Sequence, residues 1–89
     1  MFSGDSSPVH IRIKARNIGD FIDWFGLDYH IVENDGTYVT IRIRVNEEAL
    51  YYWALQYGGI AEVLKPERLR EKIKTGIKEI AAKYEEDRP

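Results

Sequence analysis

Two segments of this sequence alternate apolar and polar residues without a break. The first, residues 9–16, reads Val-His-Ile-Arg-Ile-Lys-Ala-Arg, and the second covers residues 37–45. Successive side chains of a β-strand point to opposite faces of a sheet, so this pattern predicts two strands that are buried on one side only. The apolar positions of the second segment are Val39, Ile41, Ile43 and Val45. Because these are β-branched residues, they further favour a strand.

Three other segments carry apolar residues at helical spacing. The first follows Asn17 and ends at Gly26, the second follows Asn46 and ends at Gly58-Gly59, and the third begins at Pro66. Asparagine is a favoured N-cap, glycine commonly ends helices, and proline suits a first turn. The apolar stripe of the third helix consists of Leu69, Ile73, Ile77, Ile80 and Tyr84.

Shorter strands are predicted at residues 28–33 and 60–64, and Asn34-Asp35-Gly36 is a hairpin turn signal between strands two and three. The resulting order, βαββαβ with an additional C-terminal helix, predicts an α+β, ferredoxin-like two-layer sandwich. Strands one and three should lie at the centre of the sheet, with the first two helices on its apolar face. We expect residues 1–8 to form a flexible lead-in and residues 9–89 a single domain.

Composition excludes several classes of protein. The 89 residues include no cysteine, so a disulfide scaffold and a thiolate metal site are excluded, and a reducing compartment, the cytoplasm, is expected. Serine occurs only in the lead-in, at Ser3, Ser6 and Ser7, where nothing orients a nucleophile. His10 and His30 lack metal-ligand spacing. The sequence therefore predicts no enzyme, no metal and no cofactor.

The exposed face of the two central strands is predicted to be basic. Its candidate contacts for an anionic ligand or nucleic acid are Arg12, Lys14, Arg16, Tyr38, Arg42 and Arg44. With a single aromatic residue, this face does not resemble an RNA reader. A solvated face and an interface with an acidic partner remain alternatives. A third is an acylphosphatase-like anion loop at Arg16-Asn17, although the glycine-rich stretch of such loops is missing.

The third helix exceeds what a βαββαβ unit needs, so its apolar stripe must be buried by its own chain or by a second copy. We therefore predict an interface that includes Leu69, Ile73, Ile77 and Tyr84, and a homodimer. The stripe by itself does not choose between packing within the chain and exchange between two chains.

Much of the sequence resembles the C-terminal extension, or WCX domain, of WYL-domain transcriptional regulators. Residues 52–71 carry most of the likeness, together with residues 1–5, 9–14 and 22–26 at the front of the chain. The positions that fit the pattern of the family are Trp53, Gly58, Glu62, Val63, Leu64, Pro66, Leu69, Arg70 and Tyr84.

The resemblance implies that the chain is a piece of a larger cytoplasmic regulator. Such regulators carry an N-terminal winged helix-turn-helix and a central WYL domain that is thought to sense a ligand. The extension would form dimers and relay the effector state, and DNA would be bound only through the full-length protein. The resemblance transfers no effector contact and no catalytic residue to this chain.

Overall fold

A computed structural model describes residues 6–26 and 28–85. Its elements are β1 (Ser7–Lys14), a 3-10 turn (Ala15–Asn17), α1 (Ile18–Phe25), β2 (Tyr29–Asn34), β3 (Tyr38–Val45), α2 (Glu47–Gln56), β4 (Ala61–Lys65) and α3 (Glu67–Glu85). This order confirms the predicted α+β fold, a ferredoxin-like sandwich with a C-terminal helix. Residues 1–5 of the predicted lead-in lie outside the described residues.

The four strands form one antiparallel sheet in the order β2-β3-β1-β4. β1 and β3 are therefore the central strands, as predicted. Across this central pair, Ile11 lies directly opposite Ile41, and Ile13 lies opposite Val39. The matching register places the apolar positions of both strands on the same face of the sheet.

β1 begins at Ser7, two residues earlier than the alternation predicts, and it ends at Lys14 rather than Arg16. The ladder stops because β3 begins only at Tyr38 and the chain turns just before it. The Ala15 N–H still reaches the Thr37 carbonyl at 2.9 Å, and the backbone then enters the 3-10 turn. Alternating sequence therefore continues for two residues beyond the strand.

The core lies between the sheet and the helices. The apolar residues of β1 and β3 are almost completely buried, together with Phe21 of α1 and with Leu50 and Trp53 of α2. The Phe21 and Trp53 rings meet edge to face, with centroids 5.1 Å apart. Edge-to-face contact is a preferred geometry for aromatic pairs, so α1 and α2 are joined directly above the sheet.

The two predicted helix caps behave differently. The Asn46 side chain accepts a hydrogen bond from the Ala49 N–H at 3.0 Å, which satisfies one free donor at the start of α2. Asn17 occupies the corresponding position of α1, but its side chain makes no capping bond. Its backbone (φ −107°, ψ 4°) belongs to the preceding 3-10 turn and departs from the extended conformation that N-caps usually adopt.

The turn between β2 and β3 is closed by side chains. Asp35 Oδ1 accepts hydrogen bonds from the N–H groups of Tyr38 (2.7 Å) and Thr37 (2.9 Å). These two bonds, the one from Tyr38 first, lower the pKa of the Asp35 carboxyl, and the nearby Arg12 guanidinium lowers it further. Gly36 has φ 91°, a left-handed conformation that side chains disfavour, which explains the glycine at this position.

α3 packs within its own chain, against α2 and β4. Glycine at position 76 permits the close approach, since a Cβ there would lie 2.5 Å from the Tyr51 hydroxyl oxygen. The helix begins at Glu67, one residue after Pro66, whose carbonyl accepts bonds from the N–H groups of Leu69 and Arg70. No helix in the described part of the chain is long and apolar enough to cross a membrane.

Candidate functional site

The face of the sheet that points away from the helices is called the outer face below. Its central part consists of three cross-strand pairs between β1 and β3: His10 with Arg42, Arg12 with Thr40, and Lys14 with Tyr38. Arg44 follows at the next outward position of β3, opposite Pro8. Five of the six candidate ligand contacts therefore share one surface.

Arg16 is the exception, because it lies in the 3-10 turn beyond the end of β1. It is exposed there and lines, with Lys14 and residues 36–38, a groove of about 540 Å³ at this end of the sheet. The predicted strand placed Arg16 on the outer face, and that placement is wrong because the β1–β3 ladder stops before it.

Two arginines of the outer face have partners within the chain. The Arg12 guanidinium lies 4.1 Å from the centre of the Tyr38 ring and 3.7 Å from Asp35 Oδ2. A cation–π contact at an exposed site contributes about 0.5–1 kcal/mol, so these contacts orient Arg12 rather than bury it. Arg44 donates to the Ser6 carbonyl at 2.8 Å. Arg42 is exposed and makes no side-chain hydrogen bond or ion pair within residues 6–26 and 28–85.

The edge strands contribute further charges that the sequence pattern did not reveal. His30 lies opposite Arg42, and Lys65 lies opposite His10. One row across the sheet therefore reads Lys65, His10, Arg42 and His30. The adjacent row reads Glu62, Arg12, Thr40 and Glu33. Both edge strands carry a register shift, which breaks the period-2 pattern that would otherwise have assigned these side chains to a face.

The row of Lys65, His10, Arg42 and His30 ends at a cavity of about 290 Å³. His30, Arg42 and Arg44 line it together with Asp28, so cationic groups outnumber the single carboxylate. A cavity of this kind has the size and charge to hold a phosphate or carboxylate group.

The predicted interface residues of α3 divide into two groups. Leu69 and Ile73 are buried in the core of their own chain, whereas Ile77 and Tyr84 are exposed to 48% and 85%. Ile80 is also exposed. Only the C-terminal half of the stripe is therefore accessible to a partner.

A groove of about 550 Å³ runs beside the exposed half of α3, between this helix, β4 and the end of α2. Its floor is formed by Ala54, Ala61, Val63, Ile73 and Ile77. Arg70, Lys74, Lys78 and Glu62 also line the groove. The groove thus combines an apolar floor with a mainly basic border.

Arg70 connects α3 to the edge strand β4. Its guanidinium donates to Glu62 Oε2 at 2.6 Å and to the Val63 carbonyl at 2.9 Å. Arg68 of α3 likewise donates to Glu47 at the start of α2. The contact of Arg70 therefore occupies the Val63 carbonyl, one backbone acceptor of the edge strand β4. Sequence reasoning missed both contacts because they depend on how α3 is placed.

Residues 6–81 match the family model described as the WCX domain, a regulatory domain of WYL-type regulators. No curated protein matches the chain. A regulatory family is consistent with a non-enzymatic role. The match covers most of the 89 residues and extends from the start of β1 into α3. The chain therefore belongs to the WCX domain family.

Proposed function

We propose that this WCX domain is the self-associating regulatory part of a WYL-type transcriptional regulator. It would carry out no catalysis itself. Its role would be to pair two copies of the regulator and to relay the effector state to the winged helix-turn-helix of the full-length protein. The observation that carries this proposal is the exposed apolar stripe of α3 beside an open groove.

The stripe and the groove suit contact between two copies. Ile77 and Ile80 occupy the middle of the exposed surface, and Tyr84 lies beyond them near the end of α3. In a twofold dimer the same surface serves both partners, so the helix end of one copy can enter the groove of the other. Tyrosine is common in such interfaces, since it buries a large ring and keeps a polar group at the rim.

Charge along α3 favours an antiparallel arrangement of the two helices. Basic residues Lys74 and Lys78 line the groove, whereas the exposed Glu79 and Glu85 lie toward the C-terminal end. In antiparallel helices these two carboxylates of one copy come near the basic border of the other, with Lys83 as the basic residue of the last turn. These charges would fix the relative orientation of the copies, while the apolar side chains supply most of the affinity.

Light scattering of the purified chain over a concentration series tests this proposal. We expect a dimer for the wild type and a monomer for the double variant Ile77→Glu, Ile80→Glu. The control is Val32→Glu, which places a charge on another exposed apolar residue, on the edge strand β2. A monomeric wild type, or a double variant that still dimerises, would contradict the proposal.

A second candidate function is binding of an anion or nucleic acid by the outer face. Arg42 favours it, because this exposed arginine lies between His10 and His30 in the sheet. A guanidinium can contact two phosphate oxygens at once through its fixed set of N–H donors.

Fluorescence anisotropy with a labelled single-stranded oligonucleotide tests the second candidate. The double variant Arg42→Glu, Arg44→Glu should abolish binding, and the affinity of the wild type should fall steeply with added salt. Lys74→Glu, Lys78→Glu is the matched control, since it changes the net charge equally but alters the groove at α3. Equal loss of affinity in both double variants would show attraction by net charge alone and would reject a site on the outer face.

A further inference from the structure

A third surface of this protein, separate from the outer face and from α3, combines exposed aromatic rings with carboxylates. Asp23 and Trp24 follow Asp20 by three and four residues, so both lie beside Asp20 on the surface of α1. Together with Trp53, Tyr57 and Ile60 they line a cavity of about 220 Å³. Neither the family match nor the proposed function assigns a role to this surface.

The aromatic part of the cavity is unusually open to solvent. Trp24 is 64% exposed and Tyr57 is 38% exposed, although indole and phenol rings are favourable to bury. Their centroids lie 6.5 Å apart with the ring planes inclined by 51°. Tyr57 in turn lies against the buried Trp53, at 5.4 Å, which anchors this side of the cavity to the core. The Trp24 and Tyr57 rings therefore form one side of the cavity, are held against the core through Trp53, and remain partly exposed to solvent.

The acidic part has no counter-charge among the described residues. Within the part of the chain that the structure describes, no cationic group lies within 4 Å of Asp20 or Asp23. The dipole of α1 explains why a carboxylate is favourable at position 20, since Asp20 lies in the first turn. It does not explain Asp23, which lies in the second half of the eight-residue helix. Two like charges on one helix face repel each other, and a bound cation would relieve that repulsion.

We propose that this cavity, called the α1 cavity below, binds the guanidinium group of an arginine side chain from a partner protein segment. The two carboxylates favour a cationic partner, and the exposed rings of Trp24 and Tyr57 favour a cation that can stack on them. A guanidinium is planar, stacks on aromatic rings, and donates hydrogen bonds to carboxylates in a fixed fork. A lysine ammonium can also lie over an aromatic ring, but it is not planar and does not donate two parallel hydrogen bonds to a carboxylate.

The two tryptophans of the chain make this proposal testable by NMR. Trp24 is exposed and Trp53 is buried, so their two indole N–H signals report on different environments, and Trp24→Phe assigns them. The probes are Nα-acetyl-arginine methylamide, the equivalent blocked lysine, and blocked citrulline, which is the neutral counterpart of arginine. Each is titrated into the intact 89-residue chain.

We expect the blocked arginine to shift the Trp24 indole signal saturably, with an affinity about tenfold higher than that of the blocked lysine, because only arginine both stacks and forks. Blocked citrulline should give no saturable shift. The double variant Asp20→Asn, Asp23→Asn should weaken arginine binding by about tenfold or more, since its charge-assisted hydrogen bonds are lost. The single variant Glu71→Gln, which alters an exposed carboxylate of α3 outside the α1 cavity, should leave arginine binding unchanged.

Three results would overturn the proposal. Equal shifts with arginine and citrulline would show that the probes bind to the ring surface without recognition of the positive charge. Unchanged arginine affinity in the Asp20→Asn, Asp23→Asn variant would remove the carboxylates from the site. No saturable shift of the Trp24 signal with blocked arginine, in a chain whose spectrum is well dispersed, would show that the α1 cavity does not recognise guanidinium.

Discussion

The two faces of the sheet are built from the same strands and differ in almost every other respect. The apolar residues on the helix side of β1 and β3 have exposures of 5% or less, whereas the neighbouring residues Arg42 and Arg44 on the outer face are exposed. A one-residue step along β3 therefore separates a core position from a charged one.

The helix side of the sheet is built for stability, and the outer face is available for recognition. The helix side contributes packing energy, since burial of apolar area is the main favourable term in folding. The outer face carries Arg42 and Arg44 outside the packed core, while Thr40 in the middle of this face is buried. Substitutions on the two faces should therefore have effects of different size and on different properties.

The largest contrast should come from adjacent residues of β3. Ile41→Ala, at a completely buried position, should reduce the free energy of unfolding by about 2–5 kcal/mol, because it removes apolar contacts and leaves a cavity. Arg42→Ala should change it by no more than about 0.5 kcal/mol, as surface substitutions usually do. Urea denaturation measures both values. Similar losses in the two variants would mean that the outer face is part of the packed structure.

Packing in the helix layer should show the next largest effect. Gly76→Ala places a methyl group 2.5 Å from the Tyr51 hydroxyl oxygen and should destabilise the protein by about 1–3 kcal/mol, despite the higher helix propensity of alanine. Combination with Tyr51→Phe removes that oxygen and should recover much of the loss. Gly19→Ala is the control, since nothing lies within 4 Å of its added methyl group, and it should be stabilising. Thermal denaturation distinguishes these outcomes, and a stabilising Gly76→Ala would refute the close packing of α2 and α3.

The starts of the two helices above the core provide a smaller contrast. Asn46→Ala removes a capping bond to the Ala49 N–H and should cost about 1 kcal/mol. Asn17→Ala should cost distinctly less, because the Asn17 side chain makes no such bond. Chemical denaturation of the two variants in parallel measures the difference. Equal losses would show that Asn17 caps α1 after all.

The smallest effect concerns the turn at the end of the outer face. The pKa of Asp35 is lowered from its usual value of 3.8 in the folded protein, so its ionised form adds stability above pH 3.8. That contribution should be lost as the pH falls below 3.8 through the lowered pKa. Asp35→Asn should flatten this part of the stability–pH curve, because it removes the titrating carboxyl. Denaturation midpoints measured between neutral and acidic pH provide the test.

Much of the fold was accessible from the sequence because its signals are local. Period-2 alternation identified β1 and β3, and Asn34-Asp35-Gly36 identified the turn, since these patterns depend on backbone geometry within a few residues. The edge strands were less well defined. Their register shifts mean that the pattern did not show His30, Glu33, Glu62 or Lys65 to be on the outer face.

For the candidate surfaces, the sequence determined which residue types exist and the tertiary structure decided which of them meet. The apolar stripe of α3 predicted that the helix would be buried somewhere, but only its packing against α2 and β4 decided that Leu69 is covered and Ile77 is accessible. Likewise, Asp23, Trp24 and Tyr57 line one cavity because α1 and α2 lie side by side on the sheet. Local conformation follows from near neighbours in the chain, whereas such surfaces depend on contacts between residues far apart in sequence, which no local pattern encodes.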